Sequence, residues 1–183
     1  LLHSDISHSA GMKKQALRSA ELATMIEPTN AEPWIRMGHL HSLANNNLEA
    51  SVCFRKATEL DPENATAWYD FGTCGERIRP GLGVDAIRKA VELAPNFAPA
   101  LNTYGCFYNN FMQFQEAIYY FQRAIQANPH SPRPWFNMGQ SYEAINRKEK
   151  AREAYRQALA IDPAHQLAAT ALRKLMSANQ EVE

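Results

Sequence analysis

The chain has 183 residues, 45% of them hydrophobic, and 19 basic side chains against 19 acidic ones. Zero net charge excludes the basic footprint of a general nucleic-acid binder and any simple attraction to an anionic membrane surface. The three cysteines, Cys53, Cys74 and Cys106, fall at unrelated spacings, so they make no disulfide framework and point to free thiols in a reducing, cytoplasmic compartment.

Residues 1–10 (LLHSDISHSA) hold no tryptophan or glycine and read as a frayed or trimmed remnant, or as a different N-terminal cap. The absence of an initiator methionine points to a processed or excised chain, and Leu1-Leu2 is too short for a signal peptide or a membrane span. Met12 to Glu27 places Leu17, Leu22 and Ile26 on one side and is predicted to be a helix. From there the chain repeats itself. Prolines recur at Pro28, Pro62, Pro95, Pro129 and Pro163, with spacings of 34, 33, 34 and 34. Ala23, Ala57, Ala90, Ala124 and Ala158 keep the same spacings, and so do Gly38, Gly72, Gly105 and Gly139 (34, 33 and 34). In residues 132–165 the copy reads Trp135, Met138, Gly139, Tyr142, Ala151, Tyr155, Ala158, Pro163. That is W-x2-L-G-x2-Y…A-x3-F…P with Met for Leu and Tyr for Phe. It resembles the tetratricopeptide repeat (TPR), a 34-residue helix–turn–helix unit.

The resemblance implies an all-α, right-handed superhelical solenoid of antiparallel helix pairs. Residues 1–30 would be a partial repeat of which only the second helix is clear. Four repeats follow at 31–64, 65–97, 98–131 and 132–165, and 166–183 supplies a capping helix and a frayed tail. Within repeat one, Asn45-Asn46-Asn47 is the turn, since asparagine tolerates left-handed backbone. Repeat two is one residue short around Arg79-Pro80-Gly81-Leu82-Gly83, and Gly75 stands where the pattern has tyrosine. Its first helix is expected to end early and its turn to be tighter. Residues 104–121 of repeat three carry eight aromatics, of which Tyr119 falls at a position the family fills with a polar residue. The conserved-register glycines and alanines are expected to bring paired helices close, and the prolines to end each second helix.

In this family the first helices line a concave groove that holds a peptide or helix of another protein. Carried over by position, the candidate groove residues are Ile35, Arg36, His39, Tyr69, Asp70, Thr73, Asn102, Thr103, Cys106, Asn109, Arg133, Phe136, Asn137 and Gln140. Ile35, Tyr69 and Phe136 would be apolar anchors, and the asparagines would hydrogen-bond the backbone of an extended peptide. The carboxylate clamp that related repeats use for the tail of Hsp70 or Hsp90 is not matched: Ile35, His39, Asp70, Pro99 and Thr103 occupy its positions. The resemblance thus implies an adaptor or assembly scaffold. Two other readings stand beside it. One is the substrate-recruiting region of a larger enzyme, such as O-GlcNAc transferase, resembled through the repeat and Asn137. The other is self-association through the N-terminal edge, with Leu17, Leu22 and Ile26 exposed.

No catalytic, cofactor or metal site is expected. Gly81-Leu82-Gly83-Val84-Asp85-Ala86 matches a dinucleotide fingerprint, but that motif requires a preceding strand and a βαβ unit. His39 and His41 lie two apart, so on a helix they face different directions. No nucleophile, base and orienting group can be placed together.

Overall fold

The computed structural model describes residues 15–177. Among these, helix follows helix with no strand. The described part of α1 covers residues 15–26. It is followed by α2 (Ala31–Leu43), α3 (Asn47–Leu60), α4 (Ala65–Ile78), α5 (Val84–Leu93), α6 (Ala98–Asn110), α7 (Phe114–Ala127), α8 (Pro132–Ala144), α9 (Lys148–Ile161) and α10 (Gln166–Ser177). The expectations for residues 1–10, for the start of the first helix and for the tail beyond 177 lie outside the described residues. The chain divides into two compact units, residues 1–93 and 94–183. In each, consecutive helices pack side by side as pairs.

The turns inside three pairs share one geometry, set by one left-handed residue: Asn45 at φ 60°, Met112 at φ 59° and Asn146 at φ 57°. Each is followed by an N–H that reaches back five residues, Asn46 to the His41 carbonyl, Gln113 to Tyr108 and Arg147 to Tyr142. This is the Schellman closure of a helix C-terminus. Asparagine suits two of these sites, whereas Met112 occupies the third against the preference of its Cβ. Each second helix ends two residues before its proline: Leu60 before Pro62, Leu93 before Pro95, Ala127 before Pro129 and Ile161 before Pro163.

Pairing is set by a small-into-large fit. A Cβ added to Gly38, Gly72, Gly105 or Gly139 would fall 2.5–2.7 Å from a side-chain carbon of Phe54, Ile87, Phe121 or Tyr155. The glycine face is therefore the seat of the second helix's largest buried side chain, which the expected alanine contact does not describe. The alanines one turn on, Ala57, Ala90, Ala124 and Ala158, are fully buried. In unit 1 the core is Ile35, Ala50, Phe54, Ala57, Ala67 and Cys74, with Trp34 and Phe71 packed on it. In unit 2 it is Ala117, Ile118, Phe121, Met138 and Ala154, with Trp135 and Tyr142, and a second group of Ala151, Tyr155 and Leu175. Leu175 brings α10 onto α9, so α10 covers the last pair.

The short repeat departs from expectation in an instructive way. Its first helix, α4, does not end early: it has 14 residues, against 13 in α2. The loss falls on α5, which has 10 residues where α3 has 14. Gly81, at φ 86°, carries the tightened turn. Gly83 is thereby drawn so close to Gly72 that any Cβ on it would overlap the Gly72 carbonyl oxygen. A Cβ on Gly75 would lie 3.3 Å from Gly83 backbone. The tyrosine usual at position 75 has no room, because backbone occupies its space.

Candidate protein-binding faces of the first helices

In unit 1 the faces of α2 and α4 are charged. His39 Nε2 lies 2.7 Å from Asp70 Oδ2, and its ring stands edge-on to Phe54 at 5.2 Å between centroids. Burial raises the Asp70 carboxyl above the ordinary carboxylate range, and the His39 hydrogen bond and charge and the Arg77 guanidinium oppose that shift. Arg77 donates to the Ser42 hydroxyl, a second link from α4 to α2. Thr73 turns its hydroxyl onto the Asp70 carbonyl, 3.1 Å away. Arg36 is exposed and pairs with Glu32 one turn earlier at 2.9 Å. Tyr69 is half-buried.

In unit 2 the corresponding faces, on α6 and α8, are built mainly of amides. Asn137 Nδ2 donates to Asn102 Oδ1 at 3.0 Å and to Cys106 Sγ at 3.3 Å. The Ser141 hydroxyl donates to Asn109 Oδ1 at 2.7 Å. These bonds fix which way each amide points. Both Asn137 N–H bonds are used, which leaves its Oδ1 as an acceptor. Asn102 and Asn109 accept through oxygen, which leaves their Nδ2 groups as donors. Burial pushes the Cys106 thiol up to about 11, against the pull of Arg133. Arg133 and Gln140 are exposed, and Thr103 is half-buried.

The two units use the same spacing. His39 meets Asp70 and Cys106 meets Asn137, each 31 residues apart. One repeat length less one helical turn places a first-helix residue beside its neighbour on the next first helix. Two of the expected anchors are not free. Ile35 is buried at 8% exposure against Ala67 and Cys74 of α4, so it offers no surface to a partner. Phe136 is half-buried, with its ring 5.8 Å from Tyr155 and 5.1 Å from His165. Sequence reasoning missed two contacts: Ser141, which is fully buried, sets the Asn109 amide, and Ser42 holds Arg77. Cross-repeat spacing was the available signal for both.

Among the described residues, no three His, Cys, Asp or Glu side chains converge to hold a metal ion, and no helix is long and apolar enough to cross a membrane.

Models of the tetratricopeptide repeat match residues 31–64 and residues 113–182. Anaphase-promoting complex subunit 3 of Schizosaccharomyces pombe is 24% identical over 81% of this chain and 23% of its own length. The probable UDP-N-acetylglucosamine–peptide N-acetylglucosaminyltransferase SPINDLY of Hordeum vulgare is 27% identical over 64% of this chain and 13% of its own. The crystal structure of YrrB, described as a TPR protein with an unusual peptide-binding site, superposes with a TM-score of 0.74. It is 25% identical and covers 92% of this chain and 88% of that one. The chain spans between about a tenth and half of the length of the curated relatives it matches.

Proposed function

Since the chain belongs to the tetratricopeptide repeat family, whose members bind other proteins, we propose that it is an interaction scaffold that holds a peptide or helical segment of a partner on its first-helix faces. The supporting observation is the amide arrangement of unit 2. Asn137 is locked by Asn102 and Cys106, and Asn109 by Ser141, so one acceptor and two donors are preset for the main chain of a bound segment. Preset groups lose little freedom on binding, and main-chain recognition makes loose demands on sequence. In unit 1 the face carries charge of both signs. Asp70, already held by His39, would repel a terminal carboxylate, which speaks against the heat-shock-protein tail as the ligand.

The test is affinity capture from a source lysate with the chain and with a variant carrying Tyr69→Ala, Asn102→Ala and Asn137→Ala, with helicity checked by circular dichroism. A partner held by the first and lost by the second supports the reading. A partner held equally by both refutes it. The short coverage of the relatives supports a second reading, in which this scaffold recruits substrates for a larger enzyme. Self-association through the N-terminal edge, where Leu22 and Ile26 are 53% and 78% exposed, is the third. Solution mass separates it from the others.

A further inference from the structure

The outer face of α3 is apolar where the repeat does not require it. Leu48 and Val52, one turn apart on the helix, are 66% and 54% exposed. In the same register on α9, three repeats on, stand Glu149 and Glu153, both exposed. Beside Leu48 and Val52 runs an open groove of about 450 Å³, walled also by Phe71 and Ile78 of α4 and by Leu82. The groove lies where α5 lacks its first turn. In register with Asn47 of α3 and Phe114 of α7 this second helix would begin at Pro80, and it begins at Val84, a full turn later. Two charges flank the apolar pair. Glu49 and Arg55 are exposed, line the same groove and form no ion pair with another described residue. They stand three residues before and three residues after Val52, and so on opposite sides of it both along and across the helix.

We propose that this face binds a second copy of the chain, with α3 lying antiparallel on α3 across a two-fold axis at Val52. Charge complementarity identifies the occupant. A two-fold axis through Val52 carries each residue as far beyond that point as it lay before it. It therefore sets Glu49 of one copy against Arg55 of the other, twice over, with Val52 against Val52 between them. Leu48 of one copy falls against Lys56 of the other. The Lys56 ammonium is already turned to Glu59 at 3.2 Å, so Leu48 meets its methylene stem. The face is thus complementary to itself, acid to base at both ends and aliphatic in the middle. An unrelated partner would have to present the same order reversed, which a second copy does by symmetry. None of these residues belongs to the first-helix faces, so the inference is independent of the binding proposal.

The test is sedimentation equilibrium of the full chain from about 1 μM to about 1 mM, with helicity checked by circular dichroism. The natural chain is expected to dimerise within that range. Glu49→Arg sets arginine against arginine and Arg55→Glu sets glutamate against glutamate, so each alone is expected to weaken the dimer at least about tenfold. Mixed in equal amounts, the two variants regain opposite charges at both contacts. They should then associate with each other within about threefold of the natural dimer. The proposal is overturned if the natural chain stays monomeric throughout. It is overturned equally if the single reversals leave association unchanged, which would put the contact elsewhere, or if the mixture associates no better than its parts.

Discussion

Replacing Gly105 by alanine tests the pairing principle of the fold. The new Cβ would lie 2.6 Å from Phe121 Cε1 and 2.8 Å from Cδ1. Relaxed carbon contacts begin near about 3.5 Å, so the ring must retreat by about 1 Å. It has nowhere to go: Phe121 is fully buried and enclosed by Ala117, Ile118, Met138 and Ala154. Overpacking of this kind costs about 1–3 kcal/mol, while exchanging a mid-helix glycine for alanine returns about 1 kcal/mol. The net expectation is a loss of about 0–2 kcal/mol. The decisive step is to repeat the change in a Phe121→Ala background. That background is itself about 3–5 kcal/mol less stable, but it has no ring for the Cβ to strike. There Gly105→Ala should raise stability by about 1 kcal/mol, so that the substitution changes sign between backgrounds. Urea unfolding followed by circular dichroism measures all four corners of the cycle. Equal effects of Gly105→Ala in both backgrounds would refute the small-into-large account.

Met112→Gly relieves a left-handed residue with a Cβ and should stabilise by about 1 kcal/mol in thermal unfolding, whereas Asn45→Ala at the same turn position should destabilise by a similar amount. Asp70 has its carboxyl raised by burial, so the native state binds its proton more tightly than the unfolded chain does. Its contribution is therefore complete at pH below the ordinary carboxylate range and is lost as pH rises through the native value. Relative to Asp70→Asn, the natural chain should lose stability over that rise, as measured by denaturant midpoints at stepped pH. Cys106, at about 11, should be alkylated by iodoacetamide at pH 8 on the order of a hundredfold more slowly than an unperturbed thiol, as followed by mass spectrometry.

Much of this fold was readable because the repeat writes its contacts at fixed spacing. Gly38, Gly72, Gly105 and Gly139, the closing prolines and the Asn45 turn sit where the period places them. What escaped was physics between neighbours. The missing residue of the short repeat shortened α5, not α4, because Pro80 and Gly81 interrupt the chain just before a second helix would begin. Ile35 was assigned to the binding face, yet its position lies at the border with the core, and an apolar side chain turns inward there. The His39–Asp70 and Cys106–Asn137 pairs could be found only by comparing first helices across one period less a turn, because neither pair is local in sequence. Tyr119 was singled out as unusual for the family, and it is indeed exposed, with the Arg123 guanidinium 5.7 Å from its ring centroid.

The central claim is that a partner is held on the first helices and not on the second. A photoreactive phenylalanine placed at Gln140, exposed on α8, and separately at Tyr119, exposed on α7, tests it most directly. The account predicts that irradiation links the captured partner to the chain substituted at 140 and leaves the chain substituted at 119 free. Linkage at 119 with none at 140 would contradict it.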